Sequence, residues 1–182
     1  VSGHRIDIDV SASVVVRRPN KLQAKRMGEI LDQVFYYDGK MLTLFNPSEK
    51  VYSTKPAPGT IEETLDFARE SLGLTVPVAD LVYRNAFSLL MQEVTLAVVI
   101  GDTMINGVKC THLLFSKPGV DFQIWISQDG QPLPYKYVVT DTIARLSIST
   151  VMSDWNLKPD VDDTRFIFIA PQDARPIDFM PL

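Results

Sequence analysis

The sequence predicts an α+β protein: a curled antiparallel sheet around an apolar interior, with a short helical insertion at about residues 60–92. Three observations predict it. Several short strand-like segments are apolar on both faces, whereas an ordinary antiparallel strand alternates apolar with polar residues. Turn signals punctuate the chain at short intervals. One stretch alone carries helical periodicity and caps. The helical residues are too few to cover a sheet of this size, so an interior with room for a guest is expected.

The first strand alternates as an ordinary one should. Ile6, Ile8, Val10, Ala12, Val14 and Val16 fall on one side, with Asp7, Asp9, Ser11 and Ser13 on the other. Arg18-Pro19-Asn20 ends it. The central strands do not alternate. In Val34-Phe35-Tyr36-Tyr37, Val94 to Ile100 and Phe122 to Ile126, large apolar groups occupy both parities. About ten strands are read in all from spacing and turns.

Asp38-Gly39 and Asn106-Gly107 each join two apolar segments and predict two-residue hairpin turns. Such a turn fixes register. Around Asn106-Gly107 the expected pairs are Ile105 with Val108, Thr103 with Cys110, Gly101 with His112 and Val99 with Leu114. On the opposite face Met104 meets Lys109, Asp102 meets Thr111, Ile100 meets Leu113 and Val98 meets Phe115. Around Asp38-Gly39, Val34, Tyr36, Met41 and Phe45 share one face, and Phe35, Tyr37, Leu42 and Leu44 the other.

The helical stretch follows Pro58-Gly59. Thr60 is placed to cap it and Glu63 to complete a capping box. Ile61, Leu65, Ala68 and Leu72 form the apolar stripe, and Gly73 suits a left-handed stop. Pro77 is expected to open a short helix through Asp80 to Tyr83, and Asn85 to cap a third helix with Phe87, Leu90 and Met91 on one side.

Composition limits the function classes. The chain has 182 residues, of which 46% are hydrophobic and 22% charged, with a net charge of −4. That balance argues against broad phosphate-backbone binding, so no nucleic-acid partner is expected. No apolar run is long enough for a membrane span. A single cysteine, Cys110, allows no internal disulfide. Cys110 and His112 point the same way along one strand, but a zinc site needs further converging ligands, and the other histidine, His4, is distant. Cys110 is therefore read as a small hydrophobe, with no metal and no cofactor expected. Asp160, Asp162 and Asp163 lack the Gly and Glu of a calcium loop and are read as a solvated loop. Arg17, Arg18, Lys21, Lys25 and Arg26 could contact lipid headgroups or an acidic partner, or could protect a strand edge. No nucleophile elbow or phosphate loop occurs, so no catalytic residue is proposed and the chain is read as a non-enzyme. Trp125 and Trp155 are read as core or boundary residues.

A set of short motifs carries a resemblance. They are Arg17-Arg18-Pro19, Tyr37-Asp38-Gly39-Lys40, Pro56-Ala57-Pro58-Gly59-Thr60, Cys110-Thr111-His112-Leu113, Asp121-Phe122-Gln123-Ile124-Trp125-Ile126, Pro132-Leu133-Pro134 and Ser153-Asp154-Trp155-Asn156. Together, and in this order, they resemble the domain of unknown function 2092 family of predicted periplasmic proteins, itself similar to the LolA/LolB lipoprotein carriers. The resemblance implies a single LolA-like domain over residues 1–182. It implies an incomplete, strongly curved antiparallel β-barrel with helices plugging its open side. It also implies a periplasmic location, free or lipid-anchored. Family members usually carry an N-terminal helix, so an upstream segment is expected to be missing here.

The function expected is binding or carriage of a lipid, a lipoprotein acyl chain or another apolar ligand between sheet and helices. Leu89, Leu90, Met91, Val99, Leu114, Phe122 and Ile124 are the expected lining. A lipoprotein or an envelope membrane protein is the expected macromolecular partner. The competing reading is an envelope sensor or protein-interaction module with no small ligand.

Overall fold

A computed structural model describes residues 7–74 and 78–179. Ile6, His4 and Pro77, used above, lie outside the described residues. The described residues form eleven strands in two open sheets, with two short α-helices. This is the expected α+β class. They divide into two compact units, one drawn from residues 1–76 and 160–182, the other from residues 77–159.

In the first unit the strands are β1 (Val10–Arg17), β2 (Lys21–Gly28), β3 (Leu31–Tyr37), β4 (Met41–Asn46) and β5 (Val51–Pro56). They pair in chain order as an antiparallel meander, joined at β5 by a short parallel strand from the C-terminal segment, Arg175–Pro176. The Asp38-Gly39 turn is longer than expected. Tyr37 faces Leu42 across the hairpin, with Asp38 Oδ1 accepting from the Lys40 and Met41 amides. The pairing has moved by two residues, an even number, so every side chain keeps its expected face.

Both faces of this sheet are apolar because both are covered. One carries Leu22, Ala24, Phe35, Tyr37 and Leu42, all buried. There Tyr37 donates its hydroxyl to the Pro58 carbonyl, which also accepts from Thr64 on α1 (Ile61–Leu72). The other face is covered by residues 163–168, one turn of 3-10 helix running into extended chain, rather than by an α-helix. Phe168 sits on Tyr36, Phe45 and Tyr52 with ring centroids 5.5, 5.3 and 4.9 Å away. Phe166 is fully buried, and Gln23 exchanges two hydrogen bonds with Arg165. The sequence reading looked for helical cover and so missed this strap, although the alternation Phe166-Ile167-Phe168-Ile169 is its signature.

The helix α1 forms as expected. Thr60 accepts from the Glu63 amide at 3.3 Å, and Gly73 ends the helix at φ 64°. The buried stripe is Ile61, Thr64, Ala68 and Leu72, with Leu65 half-buried beside it.

The basic cluster and the acidic loop meet each other. Arg17 pairs with Asp163, and Lys21 lies 4.0 Å from the same carboxylate. Arg18 pairs with Glu62 at 2.6 Å, and Arg26 bonds Gln33 while lying over the Phe35 ring. Asp162 caps the turn Asp163–Phe166 by accepting from the Thr164 amide. The loop is thus a latch for the strap as well as a solvated segment.

The second unit is a five-stranded antiparallel meander: β6 (Leu96–Ile105), β7 (Val108–Lys117), β8 (Val120–Ser127), β9 (Pro134–Asp141) and β10 (Leu146–Val151). It also contains α2 (Ala86–Leu90) and a single turn of 3-10 helix at Ala79–Val82. Near Asn106-Gly107 the register is as expected through Gly101 and His112. Beyond them it changes. Val99 faces Leu113, Val98 faces Leu114 and Ala97 faces Phe115, because Ile100 is extruded as a bulge. The expected pairs of Val99 with Leu114, Ile100 with Leu113 and Val98 with Phe115 do not form. Gly101 allows the bulge, holding φ at 150°, where a side chain is strained. A second bulge separates Trp125 from Ile126, opposite Lys136 and Pro134. Pro134 lacks the N–H that a regular ladder would use.

Candidate functional site

The bulge decides which apolar groups of the second unit share a face. On one face lie Leu113 and Phe115 of β7, Phe122, Ile124 and Ile126 of β8, and Tyr137 and Val139 of β9. The same face carries Ala97, Val99, Asp102 and Met104 of β6, and Leu146, Ile148 and Thr150 of β10. Its centre is closed. Leu90 from α2 packs with Phe122, Ile124 and Tyr137, and Val78, Leu81, Met91 and Val94 pack around them. The Phe115 and Phe122 rings stack at 4.9 Å. Burial pushes the Tyr137 phenol up, with the Asp80 carboxylate adding to the shift.

The flanks of this face are open. On β6, Val99 is 68% exposed and Met104 59%. On β10, Leu146 is 68% exposed and Ile148 45%. Exposed apolar groups therefore flank the helix-covered centre, Leu146 and Ile148 in sequence on β10 and Val99 and Met104 on β6 with Asp102 between them.

The seven residues expected to line a ligand site separate into groups. Leu90, Met91, Phe122 and Ile124 meet in the closed centre. Val99 lies on the same face at the open β6 edge, and Leu89 of α2 is half-buried. Leu114 points to the opposite face, opposite Val98 and Gln123. Phe87, expected beside Leu90 and Met91, is 76% exposed, because a five-residue helix presents only one narrow side to the sheet. Sequence reasoning missed Met104, Leu146 and Ile148. The alternation Leu146-Ser147-Ile148-Ser149 is the signal that could have found two of them.

The opposite face carries the Cys110–His112 pair. Cys110 is fully buried, its Sγ directed at the Val108 carbonyl at 3.5 Å, and burial pushes its thiol up. His112 bonds Gln123 at 2.9 Å and stacks on Trp125 at 3.9 Å, with Lys136 on the same indole at 4.8 Å. This arrangement disfavours a thiolate. Trp125 is buried, whereas Trp155 is 40% exposed and donates Nε1–H to the Pro134 carbonyl. Among the described residues no cluster of His, Cys, Asp and Glu could hold a metal ion. In the first unit a small open pocket of about 150 Å³ lies between Tyr36, Met41, Thr54 and the strap rings of Phe166 and Phe168. No helix among the described residues is long and apolar enough to cross a membrane.

The second unit is thus an open antiparallel sheet with a closed apolar centre and exposed apolar groups at both edges. A family described as predicted periplasmic protein (DUF2092) matches residues 1–180, and the chain belongs to it. This is the family the motifs resembled, and its description carries the expected periplasmic location. No match was found among curated proteins.

Proposed function

We propose that the protein is a periplasmic binding or carrier protein for a lipid, a lipoprotein acyl chain or another apolar molecule. The ligand lies along the sheet face of the second unit, beside α2. The observation that carries this reading is the exposed apolar groups on either side of the closed centre, Leu146 with Ile148 on β10 and Val99 on β6, with Met104 beyond Asp102. A soluble sheet ordinarily ends in polar groups at such edges. Met104 adds a flexible, polarisable surface suited to an adaptable guest.

In this reading the sheet of the second unit curves as in an incomplete barrel of the LolA/LolB type, with α2 and the preceding turn as its plug. The two bulges support the bending, because a bulge sharpens local twist. Binding gains roughly 25 cal/mol for each Å² of apolar surface covered, with few directional contacts. A lipoprotein or an envelope membrane protein delivers or receives the ligand.

The test is extraction of the purified protein with organic solvent and mass spectrometry of the extract, beside titration with a fluorescent fatty acid. The expected result is bound lipid and saturable probe binding that Ile148→Asp weakens at least tenfold. A lipid-free extract together with no probe uptake refutes the carrier and leaves the protein-interaction module.

A further inference from the structure

We propose that β6 is a self-pairing edge, through which two copies of this chain join their five-stranded sheets into one of ten strands. Among the described residues β6 pairs only with β7, and its other side is an unpaired row of backbone groups. Every residue from Leu96 to Ile100 is exposed, on both faces of the strand: Leu96 49%, Val98 38%, Val99 68% and Ile100 52%. An edge strand in a finished sheet buries one face and guards its rim with charge or proline. Here no charge occurs between Glu93 and Asp102.

A partner for this edge must itself be an unpaired strand, uncharged over the same length and apolar on both faces. The second sheet edge of the unit, β10, fails that description. Its face opposite the apolar row is lined by Ser147 and Ser149. β1, an edge of the other sheet, alternates in the same way with Ser11 and Ser13. β6 of a second copy meets it, and the pleat fixes the register. An antiparallel twofold at Val98 sets Val98 against its own copy on one face. On the other face it sets the small Ala97 against the exposed Val99. Beyond the Ile100 bulge the register shifts by one residue, so Asp102 lies opposite Thr95 and no like charges meet. The contact is isologous and closes at two copies.

Val98 lies on the face opposite the proposed ligand, so the test separates the two readings. Molecular mass is measured by light scattering and sedimentation over a wide concentration range for the full chain, Val98→Lys and Leu146→Lys. The expected result is a concentration-dependent dimer, lost in V98K, where two ammonium groups face each other across the twofold, and kept in L146K. V98K should still bind the fatty-acid probe if the ligand reading holds. Three outcomes overturn the proposal: a wild-type monomer at every concentration, a V98K protein that still dimerises, or growth beyond dimers that L146K abolishes, which marks a head-to-tail β6–β10 contact instead.

Discussion

Phe122 and Phe87 make opposite predictions from the same residue type. Both are apolar aromatics of the second unit, and sequence periodicity gives both to the interior. Phe122 is 2% exposed, stacked on Phe115 and packed with Leu90, Ile124 and Tyr137. Truncating it to alanine removes the transfer energy of the ring and leaves a cavity that its neighbours only partly fill, a loss of about 3–5 kcal/mol. A domain of ordinary stability has about 5–15 kcal/mol in all, so Phe122→Ala spends a large part of it. For a chain of this length the loss lowers the melting temperature by about 6–20 °C. Phe87 is 76% exposed on α2, and Phe87→Ala should change stability by no more than about 0.5 kcal/mol. The assay is urea unfolding followed by tryptophan fluorescence, with the slope checked so that midpoint shifts report stability. Equal losses in the two variants, or a Phe122→Ala protein as stable as the parent, would refute the reading of a closed centre beneath α2.

Two further outcomes follow from backbone and burial. Gly101→Ala should cost about 1–3 kcal/mol through strain at positive φ alone, since a Cβ there meets nothing within 4 Å; urea unfolding measures it, and an unchanged midpoint would mean that the bulge is absent. Burial raises the phenol of Tyr137 above its usual 10.0, and those of Tyr36 and Tyr37 likewise. Each holds its proton in the folded chain where the unfolded chain releases it, so the stability they support is intact below about pH 10 and falls as pH rises beyond it. Unfolding midpoints at neutral and strongly alkaline pH check the direction, and Tyr137→Phe should show a smaller alkaline loss than the parent.

Local chemistry was legible wherever one residue's own preferences sufficed. The Thr60 cap, the Gly73 stop and the Asn106-Gly107 turn depend on backbone angles and neighbours within a few residues, and all form as read. The face assignments around Asp38-Gly39 survived a longer turn because strand parity tolerates an even shift. Motifs spread along the whole chain sufficed to place it in its family. What long-range packing decides was not legible. Whether Gly101 continues a regular strand or lets Ile100 extrude is decided across the β6–β7 pair, and that choice moved Val99 from the face of Leu114 to the face of Phe122 and Ile124. The reach of a five-residue helix decided that Phe87 stays outside while Leu90 enters.

The sequence by itself determined that the strands are apolar on both sides, that helices are scarce and that the turns fall where they do, because these follow from composition and local backbone preference. Only the tertiary structure decided how the second faces are satisfied. In the first unit the distant Phe166 and Phe168 return to seal the sheet, while in the second the cover ends short of β6 and β10. A pattern of side chains specifies that a surface must be buried, but the partner that buries it is chosen by contacts between residues far apart in the chain.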